Sequence, residues 1–152
     1  LNAPITETEA ILARASERSQ AKGLSYAGDV TPCEAAHLIT RGARLIDVRS
    51  AAEFHFVGRV PNSVLVEWNH WPSGNRNPAF LDELAKAVSR KDIVLFLCRS
   101  GVRSHHAAGI AAAAGYANVF NVLEGFEGDR DQGGRRGRLN GWRHAGLDWI
   151  QS

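Results

Sequence analysis

The run Cys98-Arg99-Ser100-Gly101-Val102-Arg103-Ser104 puts a thiol, two guanidinium groups, two hydroxyls and a glycine in one short stretch. Residues of these types at this spacing suit nucleophilic chemistry on a small anion. A free cysteine has a pKa of about 8.5 and is only a few per cent thiolate at pH 7. A nucleophilic cysteine therefore needs neighbours that favour its anion. A loop turning into a helix N-terminus supplies them, because several backbone N–H groups point inward and the helix dipole adds positive potential. Gly101 lets such a loop turn tightly or take φ > 0 without a Cβ penalty. Arg99 and Arg103 add charge. The same cradle holds an anionic substrate or a charged sulfur adduct. The alternative is an inert core cysteine. That role needs neither flanking arginines nor a glycine-bearing turn, so Cys98 is the candidate nucleophile.

Strands and helices must place this loop. Ile93-Val94-Leu95-Phe96-Leu97 is a continuous apolar run, which predicts a strand buried on both faces. The Ala- and His-rich run to Ala114, closed by Gly115, predicts a helix with a glycine cap. Cys98 then sits at a strand's carboxyl end, where open parallel sheets bind ligands. Ala43 to Val48 predicts another buried strand, with Asp47 and Arg49 at the same sheet edge. Ala51 to Phe56 predicts a short helix capped by Ser50, in which Glu53 is a hydrogen-bonding strut rather than a base. Further strands are expected at Ser63 to Glu67 and Ala117 to Val122, with a short edge strand at Leu24 to Ala27 and a turn at Gly28-Asp29. Thr31-Pro32-Cys33-Glu34 has the residues of a capping box with proline at the first helical position. Cys33 lacks a glycine loop and basic neighbours, and reads as structural. Ala79 to Ser89 is amphipathic, with Phe80, Leu81, Leu84, Ala85 and Val88 at helical spacing. Residues 4 to 22 predict a mostly polar helix with Ile5, Ile11, Leu12 and Ala15 as its stripe. The alternation gives an α/β fold, a central five-stranded parallel sheet with helices on both faces. Residues 1–23 form an N-terminal helical extension and 24–152 the domain proper.

Composition bounds the function. The chain has 152 residues, enough for one domain, with 44% hydrophobic and 22% charged residues. A formal net charge of +2 does not argue for nucleic acid. Cys33 and Cys98 form neither a disulfide framework nor a zinc motif, and no His or Cys pair has metal-ligand spacing. No apolar run reaches membrane-spanning length and no secretory leader pattern opens the sequence. With a working thiol, this favours a cytoplasmic protein without membrane contact.

Several stretches together resemble the rhodanese family of sulfurtransferases. Leu45-Ile46-Asp47-Val48-Arg49, Glu53-Phe54 and Gly58-Arg59-Val60-Pro61-Asn62-Ser63 are similar to the family's first signature. Cys98 to Ser104 is similar to its active-site loop, and Gly115 to Val119 with Leu123-Glu124-Gly125 to its last strand and following turn. The likeness spans about residues 24 to 126. Arg59 stands where the family usually has His or a similar residue, and Asn62-Ser63 where it has Gly-Ala. The resemblance implies a thiosulfate sulfurtransferase that carries sulfur as a persulfide on Cys98. Arg99, Ser100, Gly101, Val102, Arg103 and Ser104 would bind the substrate, and Asp47, Arg49 and Glu53 would support the site. No cofactor or metal is needed. The implied partners are a small anionic donor such as thiosulfate, and a thiol or cyanide acceptor. A persulfide carrier docking on a sulfur-relay protein is the second reading. A small cysteine phosphatase or arsenate reductase is the third. Cysteine phosphatases use a longer loop, whereas four residues separate Cys98 from Arg103 here. This smaller ring suits a sulfur adduct better than a tetrahedral phosphate.

Other segments invite roles. The loop 67–78 carries Trp68 and Trp71 and would either overhang the pocket or cover the sheet edge. Adjacent His105 and His106 point about 100° apart on a helix and do not easily share one ligand. Residues 127–139 carry Arg130, Arg135, Arg136 and Arg138, reading as a solvated loop or as a docking surface for an anionic donor or acidic partner. Residues 140–149 predict a short helix and tail anchored by Trp142, Leu147 and Trp149.

Overall fold

In the computed structural model, which describes residues 3–152, the apolar run before Cys98 forms the central strand β4 (Val94–Leu97), with every residue buried. It lies between β2 (Arg44–Asp47) and β5 (Val119–Val122), and β3 (Val64–Leu65) and β1 (Gly28–Val30) form the edges. The sheet runs β1-β5-β4-β2-β3 and every pairing is parallel. Two helices, α1 (Glu7–Lys22) and α2 (Pro32–Thr40), bury Ile11, Ala15, Ala35 and Leu38 against Leu45, Leu95, Leu97, Phe120 and Val122. On the opposite face, α3 (Phe80–Ala87) and α4 (Val102–Ala113) bury Phe80, Leu84, Ala107, Ala108 and Ala111 against Ile46, Val94, Phe96 and Val119. Alternate residues of each strand thus meet different helix pairs, which is why the run at β4 is apolar without interruption.

Register sets the working edge. Asp47 pairs with Leu97 across β2 and β4, so Val48, Arg49 and Cys98 leave the sheet side by side. The Thr31 cap holds, with Glu34 N–H donating to Thr31 Oγ1 (3.1 Å) and Thr31 N–H to Glu34 Oε1 (2.8 Å). Glu34 also binds Arg14 and Arg18 of α1. These contacts, with Lys22 on Asp29 at 2.6 Å, join α1 to the sheet.

Several expected elements are displaced. The edge strand lies at Gly28–Val30, not Leu24 to Ala27, so the pair read as a turn opens β1. A Cβ on Gly28 would lie 2.1 Å from the Ala15 carbonyl oxygen, so glycine here lets α1 rest on the strand. Asp29 is buried because Lys22 and Tyr26 bind its carboxylate. The short helix after Ser50 widens into a π turn, Glu53–Val57, closed by Gly58 N–H on Glu53 O at 3.3 Å. Residues 140–149 form successive turns rather than a helix, tied by Trp142 Nε1 to Asp148 O (2.9 Å) and by an antiparallel bridge from Ile150 to Arg59. Trp142 is core, whereas Trp149 remains 39% exposed. Cys33 is exposed on α2 and is not a core residue. Among the described residues, no helix is long and apolar enough to cross a membrane.

Candidate active site

Cys98 follows β4 and is 1% exposed. Its surroundings are polar on the side of α4. The Gly101 N–H donates to Cys98 Sγ at 3.1 Å, and Ser104 Oγ lies 3.2 Å from the same sulfur. Gly101 has φ 102°, a left-handed conformation that a side chain rarely adopts, and this turn aims its N–H at the sulfur. Gly101 is also the N-cap of α4, with no side-chain cap and no acidic residue in the first turn. The helix ladder begins with His105 N–H on Gly101 O at 3.3 Å. The N–H groups of Val102, Arg103 and Ser104 precede that bond and have no intrahelical acceptor. The sulfur therefore sits at a helix N-terminus that, among the described residues, has no side-chain cap, which favours negative charge there.

The loop's two arginines have separate surroundings. Arg99 is exposed. Arg103 is half-buried and grips Glu53 with both terminal nitrogens, at 2.8 and 3.0 Å. Burial alone would push the Glu53 carboxyl up. The Arg103 hydrogen bonds and charge, the Ser50 N–H and the Arg49 charge outweigh it and hold Glu53 at about 2. Burial likewise opposes the Arg103 charge, but Glu53 outweighs it and the guanidinium is raised, with smaller help from Cys98 and Asp47. Glu53 is a strut that fixes the first turn of α4 to the π turn.

Asp47 and Arg49 form a wholly buried pair, with Arg49 Nη2 on Asp47 Oδ2 at 2.6 Å and Nε on both carboxylate oxygens. Arg49 Nη2 also donates to Gly58 O at 2.7 Å, and the guanidinium carbon lies 4.4 Å from the centroid of the Phe126 ring. Removing one member of such a buried pair strands the other charge. The pair links β2 to the Gly58 turn and to Phe126, behind the Cys98 loop.

Two supports are not visible in the residue types alone. The first is a strap after β5. Phe126 N–H donates to Cys98 O (2.8 Å), and Glu127 and Gly128 N–H donate to Arg99 O (3.0 and 3.3 Å). Gly125 has φ 68°, and a Cβ there would lie 2.5 Å from the Arg99 carbonyl and the Ser100 nitrogen. The second is Asn121, buried in β5, whose Nδ2 donates to Gly101 O at 3.2 Å. A carbonyl demands a donor, which fixes the amide's orientation; among the described residues Asn121 Oδ1 has no hydrogen-bond partner. Tyr26 lies alongside. Burial and then the Asp29 charge and hydrogen bond raise its hydroxyl, partly offset by Asn121. The Tyr26 hydroxyl meets His105 Nδ1 at 2.7 Å. The polar asparagine inside an apolar strand was the available signal for this contact.

His105 and His106 both line a cavity of about 490 Å³ with Trp68 and Arg76, so the expected divergence of their rings does not separate them. Trp68 is core beneath the Arg76 guanidinium, and Trp71 is 69% exposed. Among the described residues, no group of three or more His, Cys, Asp or Glu is arranged to hold a metal ion.

Comparison with known proteins agrees with this fold. The rhodanese-like domain profile matches residues 31–132. An uncharacterised protein of Rickettsia conorii is 35% identical over 111 residues, covering 70% of this chain and 82% of that one. The thiosulfate sulfurtransferase GlpE of Pseudomonas savastanoi pv. phaseolicola is 33% identical over 98 residues, covering 64% of this chain and 82% of its own. The crystal structure of Rv0390 from M. tuberculosis superposes with a TM-score of 0.76 at 44% identity, over 84% of this chain and 99% of that one.

Proposed function

The chain belongs to the rhodanese-like domain family, and from that membership we propose that it moves a sulfane sulfur from thiosulfate to a thiophilic acceptor through Cys98. The Cys98 thiolate attacks the outer sulfur of thiosulfate. The S–S bond of the donor breaks, sulfite leaves with its electron pair, and Cys98 becomes a persulfide. Cyanide or a thiolate then attacks that outer sulfur, and the electrons of the broken bond return to Cys98 as thiolate. Two displacements through a covalent intermediate require ping-pong kinetics. No metal or cofactor takes part.

The single observation carrying this reading is Gly101 N–H on Cys98 Sγ at 3.1 Å, at the uncapped start of α4. That environment favours the attacking thiolate and the returning one. Ser104 Oγ contributes a second polar contact. Asp47, Arg49 and Glu53 act at one remove, by holding the turn and helix that carry these donors. Chemistry on a small thiol-sized anion fits a reducing, cytoplasmic setting. Intact mass after incubation with thiosulfate tests the reading. A gain of one sulfur atom that Cys98→Ser abolishes is the expected result, and full thiosulfate turnover by Cys98→Ser refutes it.

One observation favours a carrier with little free-substrate turnover. Val102 at the loop is 62% exposed and Phe56, three residues beyond Glu53, is 81% exposed, which offers apolar surface to a protein donor. Slow turnover on thiosulfate combined with rapid sulfur uptake from a protein persulfide would identify that mode.

A further inference from the structure

Ser100 of the Cys98 loop borders an open cavity of about 570 Å³ whose other walls come from residues 129–136, chiefly Asp129, Arg130, Asp131 and Arg136. This segment is built onto the loop. Its root is the strap that binds the Cys98 and Arg99 carbonyls, and a Cβ on Gly128 would lie 2.1 Å from Asn140 O. Gly137 N–H closes the segment on Glu127 O at 2.8 Å.

The carboxylates here are occupied. Asp129 Oδ2 accepts from Asn140 Nδ2 at 3.0 Å. Asp131 Oδ1 accepts from Arg135 N–H at 2.8 Å, and its Oδ2 lies 3.7 Å from Arg138 Nε. The cations are differently placed. Arg136 gives Nη1 to Gly128 O at 2.7 Å, which orients its plane and, among the described residues, leaves the rest of its fork unengaged. Arg130 is exposed, and among the described residues its guanidinium has no hydrogen-bond or ion-pair partner. A guanidinium with unengaged N–H groups can take a carboxylate through two of them. The cavity's volume lies in the range of small-molecule sites, about 300–1,000 Å³.

We propose that this cavity is an acceptor subsite that takes the carboxylate of a small anionic thiol on Arg130 and Arg136 and delivers its sulfur past Ser100. The proposal rests on the sulfur-transfer reading above and names the acceptor's chemical class. The acceptor thiolate attacks the outer sulfur of the Cys98 persulfide. A new S–S bond forms, the bond to Cys98 breaks, Cys98 keeps the electron pair as thiolate, and the acceptor leaves as a persulfide. Arg130 and Arg136 change no bond; they raise the local concentration of carboxylate-bearing thiols and orient them.

Loading and discharge are measured separately. The full chain is loaded with thiosulfate, freed of excess donor and checked by intact mass. It is then discharged in single turnovers by 3-mercaptopropionate (anionic), 2-mercaptoethanol (neutral) or cysteamine (cationic). Comparing each variant with the parent for the same thiol cancels the thiols' intrinsic reactivities. Arg130→Ala is expected to lower the mercaptopropionate-to-mercaptoethanol rate ratio about 5-fold, as loss of one charge-assisted contact implies. Arg130→Glu is expected to shift preference towards cysteamine. Arg136→Gln, which keeps a donor for Gly128 O, is the third variant and is expected to lower the same ratio in the same direction as Arg130→Ala. A sulfur adduct that forms normally but discharges with unchanged ratios in all three variants overturns the acceptor subsite alone. No sulfur adduct in the parent protein overturns the transfer reading, and the subsite with it.

Discussion

Replacing Asn121 with Ala removes the side-chain donor through which β5 holds the Cys98 loop. Its Nδ2 lies 3.2 Å from Gly101 O, and the Gly101 N–H reaches Cys98 Sγ at 3.1 Å. A hydrogen bond of this kind contributes about 1 kcal/mol net. His105 N–H stays on Gly101 O at 3.3 Å, so the carbonyl is not orphaned. The unpaired Oδ1 disappears as well, which offsets part of the loss. Global stability should therefore fall by no more than about 1 kcal/mol. If the Gly101 N–H stabilises charge on sulfur in the transition state, a similar loss there slows persulfide formation about 5-fold. Asn121→Asp sharpens the test. An ionised carboxylate would set an acceptor against Gly101 O, whereas a protonated one would donate to it as the amide does. Burial and the facing carbonyl both raise that carboxyl's pKa. The loading rate of Asn121→Asp, divided by the parent rate at each pH, should thus climb as the pH falls below roughly 6. Stopped-flow loading with thiosulfate, with intact mass as the readout, gives the ratio. A ratio flat in pH, or parent-like loading in Asn121→Ala despite lost stability, would show that Asn121 only packs.

Three further outcomes follow from the contacts. Gly125→Ala should lower stability by about 3 kcal/mol or more in urea unfolding, because φ 68° and a Cβ 2.5 Å from Arg99 oppose any side chain there; parent-like stability would show that the strap yields. Gly28→Ala should release α1 from β1, since the Cβ meets Ala15 O at 2.1 Å, and hydrogen exchange should rise selectively in Glu7–Lys22; uniform exchange would refute it. In acid, Glu53, held at about 2 against an ordinary 4.5, contributes stability that is whole above the unfolded value and is lost as pH falls through the folded one. The shift nominally corresponds to about 3 kcal/mol, and solvent screening of a side chain that is 22% exposed reduces it to about 1–2. The stability gap between the parent and Glu53→Gln should accordingly shrink as the pH falls from about 5 towards about 2, between the unfolded and the folded value; a constant gap would refute the assignment.

The fold was legible wherever burial left a one-dimensional trace. β4 reads as uninterrupted apolar residues because helices cover both its faces, and α2 announces itself through Thr31, Pro32 and Glu34 because capping is local chemistry. Elements whose cause is a distant partner did not read through. Gly28-Asp29 has turn-forming residues, yet it opens β1 because Ala15 leaves no room for a side chain and Lys22 neutralises the aspartate. The stretch 140–149 carries Trp142, Leu147 and Trp149 as expected anchors, but Trp142 binds Asp148 O and Ile150 pairs with Arg59, and the chain runs in turns instead of a helix.

The same distinction runs through the site. Cys98, Gly101 and Ser104 are near neighbours in sequence, so their convergence on one sulfur follows from a single turn with φ 102° at Gly101. The two loop arginines look equivalent by type and spacing. Only the tertiary structure distinguishes them, by bringing Glu53 from fifty residues away onto Arg103 and leaving Arg99 exposed. The carbonyls of Cys98, Arg99 and Gly101 are likewise held by Phe126, Glu127, Gly128 and Asn121, none of which carries chemistry of its own. A thiol-bearing loop is thus specified twice. Local residue types decide what it can bind, and donors from β5 and the strap after it decide how rigidly it presents those donors. Rigidity of that second kind is what electrostatic stabilisation requires, since dipoles that must reorganise during reaction lose much of their effect. Substitutions at Asn121 or Gly125 should therefore impair sulfur loading without touching any group that contacts the sulfur.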